Sequence, residues 1–139
     1  MVRFITGGNG KGKSKVLLEM VNAEVKEILG NIVFLDTTTK HMYELNNKIR
    51  LINTSEYMLK SSDMFVGFIA GIVSQDHDLQ QLYFDNFLTI ANCSINDLGT
   101  VIPLLDDLSN KFGIDMVLSV STSDGELPSE YADRVIEAL

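Results

Sequence analysis

A dense cluster of glycine and lysine follows the first six residues of the chain. The eight residues from Gly7 to Ser14 read GGNGKGKS, which is four glycines, two lysines, one asparagine and one serine. They fit the pattern G-x-x-x-x-G-K-[ST], in which bare glycine backbone wraps an anion that side chains would obstruct. The pattern works only where a buried strand turns into a helix, because the unpaired N–H groups of the helix N-terminus also face the anion. This requirement constrains the fold more than any other feature of the sequence.

The residues on both sides of this stretch have the required pattern. Val2 to Thr6 is a short apolar run that ends at the glycines, as expected for a strand that finishes in a tight turn. From Lys13 onward apolar residues recur at helical spacing as far as Ile28, and Gly30 is expected to end this helix as a cap. The loop therefore joins a strand to a helix.

Strand-like and helix-like segments alternate through the rest of the chain. Four more strands are predicted over residues 31–36, 48–53, 82–88 and 115–121. Helices are predicted over residues 64–74 and 129–139. A third helix is predicted to end at Phe112, and it either begins near Val101 or contains a kink at Pro103. This order predicts an α/β fold, a three-layer sandwich in which a mainly parallel five-stranded sheet carries helices on both faces. Without a visible linker, residues 1–139 are expected to form a single domain.

Charge and composition exclude several classes of protein. The formal net charge is -8, from 19 acidic and 11 basic residues, which argues against nucleic-acid binding. The longest apolar run, residues 64–73, is too short to span a membrane, and its Gly67 and Gly71 predict close helix packing inside a core. The single cysteine, Cys93, excludes an intramolecular disulfide and is interpreted as an inert thiol. No secretory signal is visible, so a cytoplasmic location is expected.

The loop pattern predicts a binding site for a nucleoside triphosphate, and in particular for ATP. Lys13 is expected to place its positive charge against the β and γ phosphates, and the Ser14 hydroxyl to bind the Mg²⁺ that bridges them. The residues predicted to bind the nucleotide are Gly7, Gly8, Asn9, Gly10, Lys11, Gly12, Lys13, Ser14 and Lys15.

With these residues the chain resembles the P-loop NTPases, which implies ATP and Mg²⁺ as ligands. The family has a second metal ligand at the end of a neighbouring apolar strand, and Asp85 in QLYFDNF is similar to that Walker B aspartate. The next residue is Asn86, so the carboxylate that many P-loop ATPases place there is missing. In the RecA-like class that acid lies at the end of another strand, and Asp36 occupies a comparable place.

Each of these assignments has an alternative. Asp85 is interpreted as a ligand of the metal, or as a strand-end aspartate that caps a turn. Asp36 is interpreted as the catalytic carboxylate that orients water, or as a strand-end cap for Thr37 to Thr39. Ser119, Ser121 and Thr122 resemble a γ-phosphate sensor, or are plain loop residues.

A second resemblance is local. SQDHDLQQLYFD, Ser74 to Asp85, is similar to the turn before the Walker B strand of PilT-type twitching-motility and secretion ATPases. The chain has Asp where that family has Glu, and it is too short for the full motor, so only the nucleotide-binding core corresponds. His41 and His77 lie in polar segments and are predicted to be surface residues.

Three functions remain open at this point. The first is an ATP-binding P-loop NTPase with Mg²⁺-dependent hydrolysis; GTP is disfavoured because NNKIR has Arg50 where a guanine-reading Asp belongs. The second is a small-molecule kinase, although none of the three arginines lies in a lid-like loop. The third is a nucleotide-binding regulatory or assembly subunit with little turnover. The first and third imply a homo-oligomer or a protein partner that completes the site.

Overall fold

An all-parallel sheet of six strands forms the centre of the computed structural model, which describes residues 1–122 and 126–139. The strands are β1 (Val2–Gly7), β2 (Asn31–Asp36), β3 (Arg50–Asn53), β4 (Leu79–Phe84), β5 (Asp115–Ser121) and β6 (Val135–Ala138). Their order in the sheet is β3-β2-β4-β5-β1-β6, with every neighbouring pair parallel. The carboxyl ends of all six strands therefore meet at one edge of the sheet.

Helices cover both faces of this sheet. They are α1 (Lys13–Glu24), α2 (Ser62–Ser74), α3 (Phe87–Ile90) and α4 (Leu98–Phe112). Alternate strand residues point to opposite faces, so Phe34 packs in the cluster under α1 while Leu35 packs in the cluster under α2, α3 and α4. The predicted three-layer α/β sandwich is confirmed.

The sheet has one strand more than predicted, because residues 129–139 do not form the predicted helix. Ser129–Arg134 is a 3-10 turn, and β6 follows it and pairs with β1. The ring of Tyr131 is buried against Phe4, with 5.6 Å between ring centroids, and the Leu139 N–H donates to the Thr6 carbonyl at 2.9 Å. Pairing with the otherwise open edge of β1 outweighs the local helical pattern.

Helix α1 ends at Glu24, six residues before the glycine that was expected to cap it. Gly30 instead lies where the chain passes close to the start of β4. A Cβ atom at Gly30 would collide with the carbonyl oxygen of Asp78, and the Gly30 N–H donates to the Gln80 side chain at 2.9 Å. The position requires glycine because of this close approach and not because of a left-handed cap.

The apolar run after Asp85 belongs to a helical turn and not to a longer strand. Strand β4 ends at Phe84, and Asn86, with φ of 58°, turns the chain into α3. Phe87 is fully buried and packs edge-to-face on Phe84 and Phe65, with 5.7 Å between centroids in both pairs. The prediction of a strand over 82–88 was therefore wrong at its end.

The long helices differ in two details from the predictions. Helix α4 begins at Leu98 and contains Pro103, so it starts before the expected position near Val101. Gly67 and Gly71 of α2 are exposed, and an added Cβ would meet nothing within 4 Å at either position. The expectation that they pack against a helix inside the core was wrong. Across the two described ranges, every helix is too short or too polar to span a bilayer.

Candidate functional site

A cavity of about 400 Å³ lies at the carboxyl edge of the sheet. Residues in the last part of β2 and β5, and in the segments that follow β1, β2 and β4, line it: Asn9, Gly10, Gly12, Lys13, Ser14, Asp36, Thr37, Thr38, Lys40, Asp85, Asn86, Ser119 and Ser121. In open parallel sheets, ligands bind outside the carboxyl ends of the strands. The position and polar lining of this cavity make it the candidate site.

The glycines of the loop after β1 adopt backbone conformations that other residues rarely adopt. Gly10 and Gly12 have φ of 77° and 93°, and Gly12 is the N-cap residue of α1. Among the residues that the structure describes, no side chain caps this helix, and its first turn contains no acidic residue. The first N–H groups of a helix have no intrahelical partner, so here they remain open to an anion in the cavity.

Lys13 places a cation in the cavity wall. Its side chain is mostly buried, 8% exposed, and Nζ donates to the Gly8 carbonyl at 2.9 Å. Burial lowers the pKa of Lys13, and the nearby carboxylate of Asp85 acts in the opposite direction. The ammonium group is thus held across the loop that contains the glycines.

Ser14 and Asp85 are joined directly. The Ser14 hydroxyl donates to both carboxylate oxygens of Asp85, at 3.0 and 2.9 Å. Asp85 is 4% exposed, and its Oδ1 also accepts from the Ser119 hydroxyl at 3.1 Å, while Ser119 Oγ accepts from the Asn86 N–H at 2.7 Å. A fixed hydroxyl and a fixed carboxylate side by side form the oxygen-only donor set that Mg²⁺ prefers.

Asp36 lies at the end of β2, next to β4, and is 4% exposed. Its Oδ1 accepts from the Thr37 N–H at 2.7 Å, as a strand-end cap does, while its Oδ2 is buried with no hydrogen-bond partner in the described part of the chain. Burial raises the pKa of Asp36, the charge of Asp85 raises it further, and the Thr37 bond partly opposes both. One oxygen of the Asp36 carboxyl group therefore accepts a hydrogen bond, and the other accepts none from the described residues.

The structure brings most of the predicted site residues into one place. Asn9, Gly10, Gly12, Lys13, Ser14, Asp36, Asp85, Ser119 and Ser121 all line the cavity. Lys11 and Lys15 are exposed and lie outside the lining, as do Gly7 and Gly8. A Cβ at Gly7 would lie 3.0 Å from the Leu139 Cβ, so this glycine allows the end of the chain to pack against the loop.

The predicted sensor residues divide between two environments. Ser119 and Ser121 line the cavity, whereas Thr122 is buried beside it and its N–H donates to the Gly7 carbonyl at 3.1 Å. The loop predicted between Thr122 and Pro128 lies partly outside the described residues, because 123–125 are not described.

Sequence reasoning missed the segment after Asp36. Thr37, Thr38 and Lys40 line the cavity, and Lys40 adds a second lysine to it. His41 was predicted to be a surface residue, yet its side chain is only 16% exposed and a ring nitrogen lies within 4.8 Å of carboxylate oxygens of Asp36 and Asp85. One signal could have identified these residues: the carboxyl ends of parallel strands meet at one edge of the sheet, where ligands bind, so the segment after β2 would be expected to lie near the site.

The other histidine and the cysteine are where they were expected. His77 is exposed. Cys93 is half-buried, and burial raises the pKa of its thiol to about 11, with the charge of Asp97 contributing. A thiol that stays protonated at neutral pH agrees with an inert cysteine.

Comparison with known proteins supports the fold. A scan against protein-family models found no match, and a search of curated proteins found none either. A similar solved structure is the flagellar accessory protein FlaH from Methanocaldococcus jannaschii, with a TM-score of 0.58 and 13% sequence identity. The two chains share the α/β architecture of a parallel sheet with helices on both faces. The match covers 95% of this chain and 65% of the FlaH chain, so this chain spans just under two thirds of that protein's length. The likeness concerns the fold, and the local similarity to PilT-type ATPases is not shown.

Proposed function

We propose that the chain binds ATP with Mg²⁺ in this cavity and hydrolyses it, as a single P-loop nucleotide-binding domain over residues 1–139. The observation that carries the proposal is the pair of bonds from the Ser14 hydroxyl to the Asp85 carboxylate, beside the buried ammonium group of Lys13. These three groups lie where a glycine loop opens into an uncapped helix N-terminus. A triphosphate and its metal need a cation, an oxygen donor pair and a ring of N–H groups in this arrangement.

The cavity suits the size and charge of a polyphosphate. Its volume of about 400 Å³ falls in the range of ordinary ligand pockets, roughly 300–1,000 Å³. Lys13 now donates to the Gly8 carbonyl, which is a neutral acceptor, and a phosphate oxygen is a stronger acceptor for the same ammonium group. Lys40, in the segment after β2, also lines the cavity and would supply a second positive charge for the phosphates.

Ser14 and Asp85 would hold Mg²⁺ through the serine hydroxyl and the carboxylate. When bound, this ion neutralises charge on the β and γ phosphates. The bonds that Ser119 makes to Asp85 and to the Asn86 N–H orient the carboxylate before any ligand arrives, which lowers the cost of organising the site.

Asp36 is the residue proposed to orient the attacking water. Its Oδ2 has no partner in the described part of the chain, and its pKa is raised by burial and by Asp85. A carboxylate with a raised pKa is a better hydrogen-bond acceptor for water than an ordinary one. The bond from the Thr37 N–H holds the other oxygen in place.

The positions of the arginines favour a second candidate, a regulatory or assembly subunit with little turnover. None of the three arginines of the chain lines the cavity, and Arg134 is paired with Asp106 at 2.8 Å. Phosphoryl transfer is strongly accelerated when an arginine contacts the transition state. In both candidates that arginine would come from a second copy or from a protein partner.

The binding part of the proposal is tested with Lys13→Ala. ATP with Mg²⁺ is expected to stabilise the wild-type protein by about 2.7 kcal/mol at 100-fold excess over its Kd, and the variant is expected to lose most of this. Lys26→Ala is the matched control, because Lys26 is exposed beyond the end of α1. Thermal melts with and without nucleotide measure the effect. Equal stabilisation of wild type and Lys13→Ala would reject the site.

Turnover separates the candidate functions. Release of phosphate that needs Mg²⁺ and no added acceptor supports an ATPase, and Asp85→Asn is expected to raise the Mg²⁺ concentration required. Turnover that appears only with an acceptor would support a kinase. Binding without turnover supports the regulatory or assembly subunit.

A further inference from the structure

Three groups that bind cations converge beside the phosphate loop: Asp36, His41 and Asp85. One ring nitrogen of His41 and one carboxylate oxygen of each aspartate lie within 4.8 Å of one another. Both aspartates are buried and the histidine is half-buried. Two ligand atoms held about 2.1 Å from one ion can be at most about 4.2 Å apart, so a small contraction is enough to close the group around an ion.

Two atoms in this group have no hydrogen-bond partner in the described ranges. They are Asp36 Oδ2 and His41 Nε2, and both are buried. An unpaired buried polar atom destabilises the folded state. The exposed fraction of Asp36 is 4%, so bulk solvent has little access to its carboxylate. A cation between the two atoms would satisfy both.

The other nitrogen of His41 is already fixed. Its Nδ1 lies 3.2 Å from a carboxylate oxygen of Glu44. Histidines that bind metals through one nitrogen usually have the other held by a carboxylate or carbonyl, which sets the orientation of the ring. This leaves Nε2 as the nitrogen available to the cation.

The donor set selects the class of cation. Mg²⁺ prefers oxygen ligands, whereas imidazole nitrogen suits first-row transition metals, and carboxylates are accepted by Mn²⁺ and Zn²⁺. The two buried carboxylates carry two negative charges, and Lys13 supplies one positive charge nearby. The group therefore keeps a net negative charge that attracts a divalent cation.

We propose that Asp36, His41 and Asp85 form a binding site for a divalent first-row transition cation such as Mn²⁺, and that this site is filled without nucleotide. The site differs from the Mg²⁺ position of the proposed function, which uses Ser14 and Asp85 together with ATP. Asp85 is shared, so the two positions are adjacent. The Asp36, His41 and Asp85 site needs no bound ATP, so its occupancy is measured separately from nucleotide binding.

The first test uses the wild-type protein, because the chain has two histidines. After treatment with a chelator and removal of nucleotide, Mn²⁺ is added below one equivalent and the imidazole NMR signals are followed. The His41 signals are expected to disappear first through paramagnetic broadening, while those of exposed His77 remain. Broadening of His77 first, or of both to the same extent, would overturn the assignment.

The second test measures affinity for Mn²⁺ alone, by calorimetry or by the EPR signal of free Mn²⁺. His41→Gln is expected to weaken binding about tenfold or more, and His77→Gln to leave it unchanged. A His41→Gln protein that melts cooperatively and binds Mn²⁺ as tightly as wild type would refute the site.

The same wild-type sample separates this inference from the proposed function. Mn²⁺ binding without any response to ATP and Mg²⁺ would support the cation site and count against the nucleotide site. A response to ATP and Mg²⁺ with no Mn²⁺ binding in the absence of nucleotide would overturn the cation site alone.

Discussion

Replacing Asp36 with asparagine is expected to make the protein more stable and less active. The Asp36 carboxylate has one buried oxygen with no partner in the described residues and lies within 4.8 Å of an Asp85 oxygen. Two like charges at that distance repel by about 3 kcal/mol at an effective dielectric constant of 20. Asparagine keeps an oxygen for the Thr37 N–H but loses about 1 kcal/mol of that charge-assisted bond. The net gain is about 1–2 kcal/mol, which raises Tm by about 3–7 °C for a chain of this length.

The pH dependence follows from the direction of the pKa shift. Burial first, and Asp85 second, raise the pKa of Asp36 in the folded protein above 3.8. The folded state therefore holds its proton to higher pH than the unfolded state does, and the Asp36 contribution to stability falls as pH rises through the folded-state pKa. The advantage of Asp36→Asn should be absent well below pH 3.8 and reach its full size above the raised pKa.

Thermal melts in a chelating buffer over a range of pH measure this directly. Asp107→Asn is the control, because Asp107 is exposed on α4, and it is expected to shift Tm by less than about 1 °C. Phosphate release by Asp36→Asn is expected to fall, since the residue is proposed to orient water. A lower Tm for Asp36→Asn, or unchanged hydrolysis, would refute the corresponding part of the reasoning.

Three further predictions concern positions outside the cavity. Gly30→Ala is expected to lower the free energy of unfolding by about 2 kcal/mol or more, because the added Cβ collides with the Asp78 carbonyl, and an unchanged denaturation midpoint would contradict this. Gly67→Ala places a methyl group in open space on α2 and should raise the free energy of unfolding by about 0.5–1 kcal/mol in the same assay; a loss would show that the glycine is packed. Cys93, with a thiol pKa of about 11, should react with iodoacetamide at pH 7.5 more than about tenfold slower than the unfolded chain does, and equal rates would exclude a protected thiol.

The core of the fold could be predicted because its elements satisfy local rules. Asn31–Asp36 and Asp115–Ser121 are short runs flanked by turn residues, and the structure has strands with these bounds. Ser61 accepts from the Met64 N–H at 3.1 Å, as a cap does, and Gly113, with φ of 65°, ends α4 in the left-handed conformation that glycine adopts easily. In each case the residues near the end of the strand or helix determine where it begins or ends.

The elements that were mispredicted depend on distant contacts. Residues 129–139 form a strand because β1 offers an unpaired edge, and Gly30 is required because the chain passes close to Asp78. His41 approaches Asp36 and Asp85 because β2 and β4 are neighbours in the sheet. The spacing of residues along the chain does not specify the order of the strands in the sheet. The residues that share the cavity could therefore be predicted only in part.

An NMR titration of the labelled protein with ATP and Mg²⁺ tests the central claim most directly. That claim is that the N–H groups between β1 and α1 converge on a polyphosphate. The account predicts that the largest amide shifts fall between Gly8 and Ser14, with smaller shifts after β2 and β4, and that Lys13→Ala abolishes them. No shift at the loop, or shifts centred on the small cavity near His77 at the opposite end of β4, would contradict it.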